Sequence, residues 1–230
     1  MSLPPLKLRL VSSQNVRKSV TKRWLKAVGE IPDLPLWKSA GQRKHDWLHT
    51  LASKAEGYVS AYEELTMDEL MQTRRYSVEH VVPRSRIDDI SDAESDPNGW
   101  VEASRRANST RSNLPLLLWP DKQIDSKFRD YFKVCEGVVH YVPPPDQRAR
   151  LARKWLYMHA TYPHDIDPPS VAQLMNLNDI IELARSSPIS ESEQSVSDAL
   201  RDLLGFGNPL LTDEADSFYE DVDWVALLRS

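Results

Sequence analysis

Cysteine and glycine are scarce in this chain: Cys135 stands alone, and there are seven glycines in 230 residues. A single thiol excludes an internal disulfide and any cysteine-based zinc site, and a reducing, cytoplasmic setting is the default that follows. So few glycines exclude a collagen-like repeat, and a 40% apolar share excludes a wholly disordered chain. No stretch approaches the ~20 uncharged apolar residues that a membrane-spanning helix requires. The first fifteen residues carry Lys7 and Arg9 inside their only apolar stretch, so the uninterrupted core of a secretory signal is missing. What these absences leave is a soluble globular chain of one ordinary domain.

The net charge of −5 conceals segregation. Residues 1–54 are net +8, 55–104 net −8, 105–154 net +6, and 160–230 net −11. Affinity for a polyanion follows the local field of a patch and not the total. An acidic balance therefore does not exclude nucleic acid.

Periodicity predicts mostly helix around a small β element, an α+β fold. Val16, Val20, Trp24 and Val28 share one face of a basic helix over 13–28, and a second helix is expected over 39–56. Thr66 and Glu69 have capping-box spacing for a helix reaching about Arg75. Tyr76 to Val82 reads as a strand, 84–99 as a polar acidic loop, and 104–113 as a helix. A second strand is expected over Val138–Val142, then a helix over 147–161 with Asp146 as its N-cap. Two further helices are predicted over 170–185 and 189–204, followed by an acidic tail from Thr212.

Chemistry concentrates in Glu79-His80-Val81-Val82-Pro83, at the predicted strand end. Adjacent strand residues point to opposite faces, so Glu79 and His80 serve opposite sides of one small site. Phosphodiester hydrolysis uses such a pair: a hard oxygen ligand for Mg²⁺, and an imidazole that takes a proton from water near neutral pH. A packed strand histidine is the bland alternative.

Downstream, Asn108-Ser109-Thr110-Arg111-Ser112-Asn113 lies on the predicted helix. With Glu79-His80-Val81-Val82-Pro83 and the Asp96-led segment, this block resembles the bacterial endonuclease I family of nonspecific DNA nucleases, which have a ββα-metal core related to HNH nucleases. Pro144-Pro145-Asp146-Gln147-Arg148, Ala152-Arg153 with Tyr157-Met158, and Gly207-Asn208-Pro209 extend the resemblance in order over residues 76–213. It implies a ββα-metal core inside a mostly helical single domain. The parts would be a helical basic region over 1–75, the nuclease region over 76–211, and an acidic tail over 212–230. It implies metal-dependent hydrolysis of DNA, with RNA as a second candidate substrate. His80 would be the general base. Glu79 and Asn108 would hold one Mg²⁺ or Mn²⁺. An arginine should clamp the phosphate, with Arg84 and Arg111 foremost and Arg86, Arg105 and Arg106 also eligible. Arg17, Lys18 and Lys22 would touch phosphates from the basic helix.

Three departures from the family pattern stand out. Asn98 replaces a histidine, the closing block lacks an Arg-Asn pair, and the usual signal and disulfides are missing. A competing register starts from Asn113-Leu114-Pro115-Leu116 and makes Asp121 or Asp125 a metal ligand. A function from another class also remains: a catalytically weak nucleic-acid-binding protein that kept the fold. His45 and His49 echo a zinc helix but lack a third ligand. His140 reads as a packed side chain, and His159 and His164 as helix and loop surface. The tail, ending Trp224-Val225-Ala226-Leu227-Leu228, is expected either to restrain the basic site or to dock a protein partner.

Overall fold

The computed structural model describes Trp24 and residues 55–63, 65–72, 76–88, 92–119 and 131–228. The predicted helices over 13–28 and 39–56 lie outside these residues, except Trp24 and residues 55–56. So do Arg17, Lys18, Lys22, His45, His49, Asp121 and Asp125. Described elements in chain order are α1 (Met67–Gln72), β1 (Tyr76–His80), β2 (Trp100–Ser104), α2 (Arg105–Arg111), β3 (Phe132–Cys135) and β4 (Val138–Tyr141). Then follow α3 (Arg148–Thr161), α4 (Val171–Met175), α5 (Leu177–Ser186), α6 (Glu191–Leu204), α7 (Ala215–Asp221) and α8 (Trp224–Leu228). The fold is α+β: helices around two small antiparallel sheets, β1–β2 and β3–β4. No helix among the described residues is long and apolar enough to cross a membrane.

Local chemistry accounts for the main boundaries. The capping box forms at α1: the Thr66 amide donates to Glu69 at 2.8 Å, and the Glu69 amide donates to Thr66 Oγ1 at 3.3 Å. Ser104 ends β2 and caps α2, accepting from the Ala107 amide at 3.0 Å. The expected helix over 170–185 breaks at Asn176, which closes α4 and opens α5. Asp146 does not cap α3. The prolines start a 3-10 turn over Pro145–Gln147, and Asp146 instead accepts from the Gln147 side chain at 3.1 Å.

Among the described residues of 84–99, three 3-10 turns form, at Arg84–Arg86, Asp92–Ser95 and Pro97–Gly99, and Ala93, Ser95, Asp96, Pro97, Asn98 and Gly99 are buried rather than solvated. Asp96 anchors the stretch. Its carboxylate accepts from Tyr157 Oη at 2.6 Å, Tyr162 Oη at 2.9 Å, and the Asn98 amide and side chain at 2.8 and 2.9 Å. Two of those donors, Tyr157 and Tyr162, tie the stretch to α3 and the residue beyond it. Gly99 makes the approach possible, because a Cβ there would stand 2.4 Å from Met158 Sδ.

α3 is buried along its whole length. A helix enclosed on every side must pair its polar groups internally. Arg153 forks onto Glu193 of α6 at 2.9 and 2.6 Å, and Lys154 donates to the Asn98 carbonyl at 2.9 Å. His159 therefore has no solvent face, contrary to the sequence expectation. It packs on Trp155 with ring centroids 4.6 Å apart, and burial pushes its pKa down to about 3. His164 is exposed and His140 fully buried, as expected.

The 105–154 block is basic in sequence, but among its described residues much of that charge is not at the surface. Arg111, Arg148, Arg150, Arg153 and Lys154 are all buried. The tail is also not a free polyanion. Phe218, Trp224 and Leu228 lie in the same hydrophobic core as Trp24, Tyr62, Val101 and Leu156.

Glu102, inside β2 opposite Val78, is fully buried, and burial pushes its carboxyl up to about 8 from an ordinary 4.5. Its folded pKa lies above its unfolded one. Stability from this group is therefore full below pH 4.5 and is lost as pH rises toward 8. Each pH unit in that window costs about 1.4 kcal/mol. Glu102→Gln is expected to lose about 2–3 kcal/mol less than wild type between pH 5 and pH 7.5. Urea unfolding at both pH values checks this, and parallel losses in the two proteins would refute it.

Candidate active site

The site is built on β1, the turns after it, β2 and α2. β1 and β2 pair antiparallel, with Glu79 opposite Val101 and His80 opposite Trp100. The Val81 amide donates to the Gly99 carbonyl at 2.9 Å and extends the ladder one step. α2 follows β2 without a loop, so it starts where the strand pair ends. This connection carries Asn108 and Arg111 back across β1.

Glu79 and His80 have separate partners, as strand alternation requires. Glu79 is buried and ion-paired with Arg111 Nη1. Burial pushes its carboxyl upward, while the Arg111 charge and hydrogen bonds from Arg111 and Asn108 pull it back. Asn108 also donates from Nδ2 to Ser77 Oγ at 2.9 Å. The carboxylate and the carboxamide thus converge on one patch, two elements apart in sequence.

His80 sits on the other side of the strand. Its Nε2 lies 2.9 Å from the Glu94 carbonyl, and its ring meets Trp100 edge-on at 5.9 Å. A carbonyl only accepts, so Nε2 carries the proton. In the neutral ring the lone pair is then on Nδ1. Trp100 Nε1 donates to the same carbonyl at 3.1 Å. The Glu94 carboxylate pairs with Arg84 at 3.1 Å, and the Arg84 side chain remains 70% exposed.

The arginines separate clearly. Arg111 is fully buried and donates to Glu79, to the His80 and Val81 carbonyls at 2.8 and 2.7 Å, and to the Leu114 carbonyl at 3.1 Å. That enclosure removes it from the phosphate-clamp candidates. Arg84 stands at the edge of the His80 side, tethered through Glu94. Arg105 and Arg106 are exposed at the start of α2, and Arg86 is half-buried. Asn113, which heads the competing register, is exposed beyond the end of α2.

Two participants escaped the sequence reading. Glu94 acts through a backbone carbonyl, which leaves no residue-type signal. Ser77 was legible only as the residue two before Glu79 on one strand face.

A strand pair and the helix that follows it thus gather a carboxylate, an imidazole, a carboxamide and exposed arginines in one part of the fold. The sequence matches the Endonuclease I family over residues 36–215, more than half of the chain, and this protein belongs to that family. A nuclease acting on nucleic acid is the class this membership gives. No curated protein matches the chain.

Proposed function

We propose that this chain is a metal-dependent endonuclease that hydrolyses DNA phosphodiester bonds with little sequence preference, through a ββα-metal core over residues 76–111. The observation that carries the reading is the close placing on β1 and α2 of His80, whose Nε2 meets the Glu94 carbonyl, and of the convergent Glu79–Asn108 pair.

The donor set suits a hard cation. Among the described residues no three His, Cys, Asp or Glu side chains cluster as a metal cage. Glu79 and Asn108 offer one carboxylate and one amide oxygen, a sparse pair that leaves room for phosphate and water. Mg²⁺ or Mn²⁺, one per site, fits oxygen-only ligation. Such an ion, when bound, offsets negative charge on the phosphate and the leaving oxygen.

The chain's own residues do the rest. Asn108 directs Nδ2 at Ser77 Oγ here, so presenting Oδ1 requires turning the amide over. The Ser77 hydroxyl accommodates either face, since it both donates and accepts. His80 takes a water proton at Nδ1, while the Glu94 carbonyl keeps the ring in place through Nε2–H. Arg84 grips the phosphate with its exposed guanidinium, and Arg105 and Arg106 contact flanking phosphates without reading bases.

Purified protein is expected to nick supercoiled plasmid with Mg²⁺, stop with chelator, and resume with Mg²⁺ or Mn²⁺. Asn108→Ala should lower the rate about 10- to 100-fold, while Asp121→Ala stays near wild type. An active Asn108→Ala with a dead Asp121→Ala would establish the competing register. Chelator-resistant nicking would remove the metal.

A further inference from the structure

Arg111 is the most constrained polar side chain of the site. Its guanidinium is fully buried, and the oxygens it holds come from both sides of the proposed chemistry: the Glu79 carboxylate, and the carbonyls of His80 and Val81. Its Nε closes onto the Leu114 carbonyl at 3.1 Å, after the chain turns back at Ser112 with φ of 51°. One planar group therefore fixes the carboxylate, the end of β1 and the turn after α2 relative to each other.

We propose that Arg111 is a positioning residue that acts on Glu79 and His80 together, and that it never touches substrate. The inference rests on the nuclease reading above. Only arginine suits the place. Its five donors lie in one rigid plane and can reach a carboxylate and two successive carbonyls at once. Lysine keeps the charge but offers three donors from a single point. The charge itself works against binding a cation at Glu79, since like charges repel in a buried setting. Geometry is what Arg111 supplies. A side chain that supports a metal ligand typically carries about 10- to 100-fold in affinity or activity. An error of about 1 Å in a reacting group costs about 100-fold in rate.

Arg111→Lys isolates geometry from charge. Three measurements at 10 °C decide the matter: circular dichroism for the folded fraction, calorimetric Mn²⁺ binding to the metal-free protein, and steady-state cleavage of a short DNA duplex. Arg111→Lys is expected to stay folded and to bind Mn²⁺ about 10-fold more weakly. Its kcat per folded molecule should fall about 100-fold, with KM within about twofold of wild type. A raised KM with kcat unchanged would make Arg111 a substrate contact and overturn the proposal. Unchanged kcat and Mn²⁺ affinity per folded molecule, or a variant unfolded at 10 °C, would reduce it to a strut of the fold and overturn the proposal as well. Wild type and His80→Ala run alongside. If wild type does not cleave, or His80→Ala cleaves as well as wild type, the nuclease reading itself fails, whatever Arg111→Lys does.

Discussion

His80→Ala is expected to lower DNA cleavage by about 10²- to 10⁴-fold, the range a positioned general base contributes. The fold should survive. His80 is half-buried at the end of β1, and its ring contacts include a hydrogen bond to the Glu94 carbonyl and an edge contact with Trp100. Losing one such bond costs about 1 kcal/mol, small against a domain's net stability. DNA affinity should change little, because the exposed guanidinium of Arg84, held by the Glu94 carboxylate and not by the imidazole, and Arg105 and Arg106 on α2 stay in place. Cleavage, urea unfolding and filter binding on the same preparation separate the three effects. Near-wild-type cleavage at neutral pH would take His80 out of the mechanism. Loss of cleavage and cooperative unfolding together would make it a packing residue.

The strand and helix that carry the site were legible because their signals are local. Glu79-His80 lies on a β-rich run stopped by Pro83, and Ser104 marks the start of α2 as a side-chain cap should. β2 was not legible. Trp100 to Ser104 are all buried, so no period-two alternation separates strand from helix or loop. The acidic segment before it looked like solvent-exposed loop because its composition is polar. Its carboxylate Asp96 is instead satisfied by two tyrosines more than sixty residues away, which no window along the chain can reveal.

Charge misled in the same way. The basic block over 105–154 looked like a polyanion patch, yet its helix α3 is enclosed, and Arg153 and Lys154 are spent on Glu193 and the Asn98 carbonyl. Arg111 looked like a phosphate clamp because its motif position was right. Only burial, a three-dimensional quantity, shows that it faces inward.

A chain ending at Leu211 is expected to lose its cooperative fold. The acidic segment after Thr212 looked like a tethered polyanion whose removal would raise activity. Its apolar groups are instead packed inward, while Asp213, Glu214, Asp216 and Glu220 stay at the surface in and before α7. Phe218 and Trp224 stand edge-on to the buried Trp24 indole at 5.4 and 5.6 Å, and Leu228 is buried with them. Burying each such side chain stabilises by about 1.5–3 kcal/mol, so these three together approach the net stability of an ordinary domain, about 5–15 kcal/mol. Truncation would also open the Trp24 face and the flank of α3 to water. The exposed pairs of Arg185 with Asp216 and Glu220, at 3.2 and 2.6 Å, add little, since surface ion pairs contribute about 0–1 kcal/mol. Trp224→Ala alone should cost about 3–5 kcal/mol by emptying the centre of the cluster. Urea titration of Trp224→Ala, and circular dichroism and solubility of the truncated chain, measure both effects. A truncated protein that unfolds cooperatively near the wild-type midpoint and cuts DNA faster would restore the segment as a displaceable restraint. Loss of structure, with cleavage falling in proportion, would make it an integral part of the core.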